Sequence, residues 1–201
     1  MQNTTSLIIL AKHPGESGAD TFAGLQQTAE VFRQTTERTL MIAASLRSKG
    51  MTTSVLYDPP FVRDELERWI GSRFPLVPLS GDDEGMKVRN AFERAFAQGA
   101  EHVVLVATNV PDLDSAVLQD ADRLLSAYDA VIGPTVSGRN YLIGLRKPFT
   151  DIFTGLRWDA ETAYAETIVR LRRGGRTSVA LPILRDVRSW NDYRAILGRL
   201  P

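Results

Sequence analysis

Short apolar runs without polar alternation recur along the chain, separated by amphipathic stretches. The two most continuous runs are Leu7–Ala11 and Val103–Val106. Runs of this kind are typical of parallel-sheet strands, which are covered on both faces. We predict a buried strand at each position, and the second is expected to be central because most of its residues are β-branched.

Helical periodicity fills the stretches between the predicted strands. Glu84–Gln98 carries apolar residues at helical spacing and ends at Gly99, while Asp114 is a suitable N-cap for a helix that runs to about Ala127. Further helices are predicted at about 28–46, 64–70, 160–173 and 190–198. Further strands are predicted at 53–57, 74–77, 130–132, 141–145 and about 178–181.

This alternation predicts an α/β fold with a doubly wound, mostly parallel sheet and helices on both faces. No repeat, low-complexity tract or linker interrupts the pattern, so residues 1–201 are expected to form a single domain. Ligands of such sheets bind beyond the carboxyl ends of the strands, where the strand order reverses. The loops after Ala11, Ala107 and Ile132 are therefore the predicted places for a functional site.

The amino-acid composition excludes several kinds of site and several classes of protein. The chain has no cysteine, which excludes disulfides, zinc–thiolate sites and thiol nucleophiles and fits a reducing cytoplasm. No apolar run approaches the ~20 residues of a membrane span, and no signal peptide is recognisable. The formal net charge is zero, so no overall field attracts nucleic acid or a membrane surface. We expect a cytoplasmic protein that binds neither.

The charges are distributed unevenly. Residues 1–138 carry 12 basic and 18 acidic side chains, a net −6, whereas residues 139–201 carry 12 and 6, a net +6. Arginine supplies 20 of the 24 cations, and its planar guanidinium suits phosphate and carboxylate groups. The basic part is either an ordinary solvated face or a cationic wall for an anionic ligand.

The loop after the first strand opens with Lys12, which is well placed to reach a phosphate but is equally plausible as a surface lysine. His13 follows it and is more typical of a solvated loop histidine than of an acid–base catalyst. The glycines of this loop match neither the P-loop nor the dinucleotide-binding spacing, so both of those classes are excluded.

The loop after the central strand reads A-T-N-V-P-D-L over residues 107–113. Asn109 is positioned to hydrogen-bond a ribose or a base, but an amide does not replace a carboxylate as the anchor of a metal ion. Asp112 has two interpretations, a ligand contact or a stabilising charge before a helix, and the second is the more common.

The third loop, residues 133–141, carries Arg139 at its tip as a candidate anion contact. The stretch 185–188, R-D-V-R, is a fourth candidate. No serine–histidine–acid triad is available from the two histidines of the chain. The three tryptophans are interpreted as packing anchors.

These motifs, in order and spacing, resemble the small bacterial GT-A-like transferases, often called radical-SAM/selenodomain-associated transferases. That family is related to sugar-nucleotide glycosyltransferases and nucleotidyltransferases. The matching stretches are K-H-P-G at 12–15, D-E-G-M-K at 83–87, A-T-N-V-P-D-L at 107–113, G-P…Y-L-I-G-L at 133–145, Trp158 and L-P-I-L-R-D-V-R at 181–188. The resemblance spans about residues 6–195 and implies a nucleotide-diphospho-sugar transferase fold.

The departures from the family pattern all concern charge. Asn109 stands for the strand-tip Asp, Ser137 for the Asp of D-G-G, Arg139 for a neighbouring Gly and Arg188 for the second Asp of D-V-D. The family implies Mg²⁺ or Mn²⁺ held by carboxylates on the donor diphosphate. We therefore expect no metal ion and no other cofactor here.

Three hypotheses follow. The first is a glycosyltransferase-like protein that binds a sugar nucleotide or another anionic small molecule without a metal. Its ligand-binding residues are expected to be Lys12, Lys87, Asn109, Asp112, Ser137, Arg139 and Arg188. The second is a catalytically inactive relative that binds a ligand or a partner protein. The third is a nucleotidyltransferase, which residues 11–24 disfavour because they lack the glycine-rich opening loop of that class.

Overall fold

The computed structural model of the protein describes residues 4–12, 22–58, 60–158 and 160–197. Within these residues, seven strands form one sheet: β1 (Thr5–Lys12), β2 (Met51–Asp58), β3 (Leu76–Pro78), β4 (His102–Ala107), β5 (Ala130–Pro134), β6 (Asn140–Leu145) and β7 (Ser178–Ala180). The α-helices are α1 (Phe22–Leu46), α2 (Arg63–Ile70), α3 (Glu84–Ala97), α4 (Ser115–Leu125), α5 (Ala163–Arg173) and α6 (Trp190–Leu197). None of the helices in these residues is both long and apolar enough to cross a bilayer.

The sheet has the strand order β3-β2-β1-β4-β6-β5-β7. All neighbours pair in parallel except β6, which runs antiparallel to both β4 and β5. The predicted α/β fold with a mostly parallel sheet is thus confirmed. The chain proceeds from β1 outward through β2 and β3 and then crosses to β4, so the strand order reverses between β1 and β4.

Strand β4 is central, as its composition predicts. Its residues from His102 to Val106 are buried. Val104 and Val106 pack into the core layer that includes α1 and α4, whereas Val103 and Leu105 pack into the layer that includes α3. Successive side chains of a strand point to opposite faces, so the uninterrupted apolar run covers both layers.

Among the predicted boundaries that differ from the structure, those of α1 and β3 have a clear reason in the sequence. Helix α1 begins at Phe22, about six residues before the predicted start, because the apolar periodicity that marks it sets in only near Val31. Strand β3 covers Leu76–Pro78 and excludes Phe74, whose ring is nonetheless buried. Pro75 has no N–H to donate and contributes only its carbonyl, which accepts from Val55 N at 2.9 Å.

Candidate functional site

The carboxyl edge of the sheet collects most of the residues that the sequence singles out. Asn109 follows β4 by two residues, and Ser137 and Arg139 lie in the turn between β5 and β6. Because β6 is antiparallel, it begins at this same edge. Lys12 ends β1 there, but its side chain lies outside the described residues, as do His13 and the rest of the loop 13–21.

Asn109 joins the tip of β4 to a segment far away in the chain. Its side-chain Nδ2 donates to the carbonyl of Val187 at 3.2 Å, and its own carbonyl accepts from Val187 N at 2.8 Å. Two bonds between one pair of residues fix both the separation and the orientation of the backbones. The next residue, Arg188, is therefore held beside the tip of β4.

The five residues Leu184–Arg188, here called the strap, each make a hydrogen bond to another part of the chain. Leu184 N donates to Pro134 O at 3.2 Å, and Leu184 O accepts from Val136 N at 2.9 Å. At the other end, Arg188 N donates to Asp192 Oδ2 at 2.9 Å. The strap thus runs from the end of β5 to the end of β4 and covers this part of the carboxyl edge.

Asp112 holds the second residue of the strap. Arg185 donates from Nε to Asp112 Oδ2 at 2.8 Å and from Nη2 to Oδ1 at 3.2 Å, a two-bond pair. The hydrogen bond to Asp112 raises the pKa of Arg185 above its ordinary value. The N-cap of α4 is Asp114, as predicted, and its Oδ1 accepts from Val117 N at 2.9 Å.

Asp186, the third residue of the strap, faces the turn after β5. Its Oδ2 accepts from Ser137 Oγ at 2.7 Å and lies 3.6 Å from Arg139 Nη1, which donates to Ser137 Oγ at 2.8 Å. Thr135 Oγ1 is a further 2.9 Å from Ser137 Oγ. The side chains of Arg139 and Asp186 are only 12% and 5% exposed. The predicted ligand contacts Ser137 and Arg139 are therefore engaged with the strap.

Gly138, between Ser137 and Arg139, allows this turn to lie against the start of α5. Its φ is 82°, a conformation that favours glycine, and its carbonyl accepts from Tyr164 N at 3.0 Å. A Cβ at this position would lie 2.0 Å from the carbonyl oxygen of Glu161. Glycine is thus required both by the backbone conformation and by the close approach.

Tyr141 binds the segment that leads into the strap. Its hydroxyl donates to the carbonyl of Pro182 at 3.1 Å, and its ring lies so close to Gly133 that a Cβ there would be 2.4 Å from the ring carbon Cζ. Burial, and then the nearby charge of Asp114, raise the pKa of Tyr141 far above its ordinary range. The phenol therefore stays neutral and serves as a donor.

Lys87, a residue of α3, lies farther along the edge and contacts the end of β2. Its ammonium contacts Asp58 Oδ2 at 2.5 Å, and the two side chains are 24% and 33% exposed. Asp58 is the register partner of Lys12 on β1, so this pair adjoins the end of β1. The positive charge of Lys87 is balanced by Asp58.

Arg188 differs from the other predicted cations of the site. It is exposed, and its guanidinium makes no hydrogen bond or ion pair with the rest of the described chain. Arg139, Arg185 and Lys87 all face a carboxylate. Among these four, Arg188 is the cation whose charge no described carboxylate balances.

The carboxylates near the tip of β4 do not fit a divalent cation. Asp112 and Asp186 each face an arginine, and Asp114 caps α4. No group of three or more Asp, Glu or His side chains in the described residues is arranged to hold a metal ion. Mg²⁺ and similar hard cations need several oxygen ligands, which this arrangement does not offer.

The edge residues are recognisable in the sequence, but the contribution of Asp186 is not. The structure brings Asn109, Asp112, Ser137 and Arg139 together around the strap, to which Arg188 itself belongs, while Lys87 contacts the end of β2. Asp186 is the nearly buried carboxylate that Ser137 and Arg139 share. The signal that could have found it is the retained first Asp of the D-V-D motif. The roles of the predicted site residues in binding remain predictions.

Comparison with known proteins agrees with this architecture. Residues 41–160 match the family described as "Uncharacterized protein conserved in bacteria (DUF2064)". A "putative nucleotide-diphospho-sugar transferase" from Desulfovibrio desulfuricans G20 is 28% identical, with a TM-score of 0.86, over 96% of this chain and 86% of that one. No protein with a curated description matches the sequence.

More distant structures share the fold. A cytidylyltransferase from Leptospira borgpetersenii is 12% identical with a TM-score of 0.59, over 96% of this chain and 85% of that one. The mannosyltransferase PcManGT from Pyrobaculum calidifontis, solved with GDP-Man and Mn²⁺, is 10% identical with a TM-score of 0.59, over 92% of this chain and 57% of that one. The structural neighbours thus include both sugar transferases and cytidylyltransferases.

Proposed function

This chain belongs to the bacterial protein family DUF2064, and from that premise we propose that it binds a nucleotide-diphospho-sugar at the carboxyl edge of its sheet and transfers the sugar without a metal ion. The diphosphate lies at the tip of β4, where the strand order reverses. Asn109 and Arg188 contact it there, and Lys12 approaches from the end of β1.

The position of Arg188 carries this proposal. The double hydrogen bond between Asn109 and Val187 holds the backbone of Arg188 at the tip of β4. Its exposed guanidinium is not balanced by a described carboxylate. A cation whose backbone is held at a ligand-binding edge is suited to an anionic ligand, and a guanidinium can make two parallel hydrogen bonds to phosphate oxygens.

An arginine at this place supplies the charge that a metal ion supplies in related enzymes. In transfer from a nucleotide sugar, negative charge develops on the diphosphate as the bond to the sugar breaks. Positioned cations stabilise such developing charge in a site that excludes water. Asp186 and Asp112 are each paired with an arginine, so their negative charges are balanced and do not repel the diphosphate.

The ligand class is supported by the similar structures. The protein from Desulfovibrio desulfuricans carries the name of a nucleotide-diphospho-sugar transferase, and the mannosyltransferase PcManGT was solved with GDP-Man. Both ligand descriptions concern a nucleoside diphosphate joined to a sugar. The same class is what a cation at the strand-order reversal is suited to bind.

The test is calorimetric titration with UDP-, GDP-, CDP- and ADP-sugars. We expect one of them to bind, and Arg188→Ala to weaken that binding about tenfold or more, as for loss of a charged hydrogen bond. Arg173→Ala, at the far end of α5, is the matched control and should leave the affinity unchanged. Absence of binding to the whole panel, or an Arg188→Ala affinity equal to that of the natural protein, contradicts the proposal.

A second candidate is an inactive relative that binds the same ligand without turnover. The engagement of Ser137 and Arg139 with Asp186 favours it, because these side chains are then not available to a substrate. Sugar release from each bound donor, followed over time, separates the two candidates. Incubation with nucleoside triphosphates and sugar phosphates tests nucleotidyl transfer in the same assay.

A further inference from the structure

Strand β7 ends the sheet on one side, and its outer edge is open. Thr177 O accepts from Ala130 N at 3.0 Å, and Leu181 N donates to a carbonyl of β5 at 2.9 Å, so both backbones face β5. Backbone groups alternate in direction along a strand, so those of Ser178 and Ala180 face away from β5. No other described residue bonds to these outward groups, and Ala180 is exposed. Such an edge can receive a further strand.

Four exposed cations lie near the start of this open edge. They are here called the basic patch: Lys147, Arg172, Arg173 and Arg176. Helix α5 ends at Arg173, and Arg176 N donates back to the carbonyl of Leu171 at 2.9 Å. The chain therefore turns directly from the end of α5 into β7, and the three arginines lie within this turn.

The loop after β6, which carries Lys147, is held against the same turn. The guanidinium of Arg176 lies over the ring of Phe149, 4.8 Å from its centroid. Arg146 donates to Asp129 Oδ1 at 2.7 Å, and Asp129 Oδ2 accepts from the backbone N–H just before β7 at 2.9 Å. Lys147 lies between Arg146 and Phe149 in the sequence, so its backbone is next to the start of β7.

The charge of the basic patch is not balanced locally. In the part of the chain that the structure describes, no carboxylate forms an ion pair with its four cations, and the adjacent Asp129 is bonded to Arg146. Cations in the last turn of a helix stabilise the helix end, but Lys147 lies outside α5 and Arg176 lies beyond its end. Because the whole chain is neutral, the patch is a local excess of positive charge.

We propose that the basic patch and the open edge of β7 together bind an extended acidic segment of a partner protein. The segment adds to β7 as a further strand, with hydrogen bonds to the outward backbone groups of Ser178 and Ala180. Carboxylates at one end of the segment pair with the guanidinium groups, which make two-bond contacts with such groups. This surface is separate from the carboxyl edge of the proposed function, because β7 begins at the opposite edge of the sheet.

The surface suits a peptide better than it suits other polyanions. Single-stranded nucleic acid stacks its bases on aromatic rings, and the ring at the patch, Phe149, lies under the guanidinium of Arg176. Binding to a membrane surface requires an apolar face beside the cations, whereas α5, all of whose residues are described, exposes a single large apolar side chain, Val169. The open strand edge offers backbone hydrogen bonds, which an extended peptide satisfies along its length.

The experiment measures the binding of a synthetic peptide by fluorescence anisotropy at low salt. The probe is a capped peptide of alternating threonine and valine with glutamates at both ends, and its matched control carries lysines instead. We expect the acidic peptide to bind and the basic peptide not to bind. Arg172→Ala/Arg173→Ala should weaken binding about tenfold or more, as for loss of charge-assisted hydrogen bonds. Arg38→Ala, which removes an exposed arginine of α1, should leave the affinity unchanged.

Two further measurements test the strand edge itself. Ala180→Pro removes an outward N–H and none of the bonds to β5, and proline is tolerated at such edge positions. This variant should weaken binding about tenfold. The acidic peptide with N-methylated amides tests the same bonds without any change in the protein, and we expect it not to bind.

Several results overturn this inference. They are absence of binding by the acidic peptide, equal affinity for the two peptides, an unchanged affinity in the double arginine variant, and an N-methylated peptide that binds as tightly as the parent. Tighter binding of a polythymidine oligonucleotide, or of vesicles that contain phosphatidylserine, also overturns it and assigns the basic patch to a nucleic acid or to a membrane.

Discussion

Asn109 and Val187, 78 residues apart in the chain, exchange two hydrogen bonds at the tip of β4. One of them requires a donor on the side chain at position 109, which an amide has and a carboxylate lacks. The resemblance to the GT-A-like transferases implies an Asp at this position. Compared with that Asp, Asn109 offers no carboxylate to a metal ion and supplies the N–H that binds the strap.

Asn109→Asp tests whether the side-chain hydrogen bond from Asn109 to the Val187 carbonyl stabilises the fold. The carboxylate would face the Val187 carbonyl oxygen without a proton to share, so we expect a loss of about 1–3 kcal/mol in the free energy of unfolding. Urea titration measures this loss. Asn90→Asp is the matched control, because the Asn90 amide also donates to a carbonyl, that of Ser80, but at an exposed position. An equal loss in both variants would contradict a special role for Asn109.

The nearly buried pair Arg139–Asp186 should contribute more to stability than an exposed pair does. Removal of the arginine leaves the Asp186 carboxylate, which is only 5% exposed, without this cation, so Arg139→Met is expected to cost about 3 kcal/mol. The double variant Arg139→Met/Asp186→Leu should cost less than the sum of its single changes, which a denaturant double-mutant cycle measures. For comparison, Asp120→Asn breaks the exposed pair with Arg123 and should cost less than about 1 kcal/mol. Additive single and double effects would show that the pair is not coupled.

Gly138→Ala separates steric crowding from backbone strain. Both Gly138 and Gly99 have positive φ, 82° and 91°, but only a Cβ at Gly138 meets an atom within 4 Å, the Glu161 oxygen at 2.0 Å. Strain alone costs about 1–2 kcal/mol, so Gly99→Ala should lose that amount and Gly138→Ala distinctly more. Thermal unfolding of both variants gives the comparison. A Gly138→Ala protein as stable as Gly99→Ala would show that the turn does not lie against Glu161.

The ionisation of Asp129 makes the free energy of unfolding depend on pH. Hydrogen bonds from the backbone of Thr177 and then from Arg146 lower the pKa of Asp129 to about 2. A carboxyl with a lowered folded-state pKa stabilises the protein fully above its unfolded pKa, near 3.9, and the contribution is lost as the pH falls from about 4 to 2. Relative to Asp129→Asn, the natural protein should therefore lose about 2 kcal/mol over that interval. Parallel pH dependences of unfolding in the two proteins would contradict this assignment.

The sequence predicts the sheet well because the signals involved are local. The apolar run of β4 has no solvent-facing position, and Asp114 lies where an N-cap hydrogen bond forms. The direction of β6 follows from the five-residue turn 135–139, which returns the chain beside β5, and strand composition does not specify it.

The candidate site is predictable only in part. The rule that parallel strands end at one edge brings Asn109, Ser137 and Arg139 together in advance. Their partners depend on how the chain after β7 packs: Arg185 meets Asp112 across 73 residues, and Asp186 meets Ser137 across 49. No local pattern encodes such pairs.

In the proposed function, arginine and not a divalent cation neutralises the diphosphate. The most direct measurement is the calorimetric affinity of the natural protein for its tightest-binding nucleotide sugar, determined in EDTA and again with excess Mn²⁺. We expect the two dissociation constants to agree within about twofold, because the charge of the Arg188 guanidinium does not depend on added metal. A loss of affinity of tenfold or more in EDTA would contradict the account.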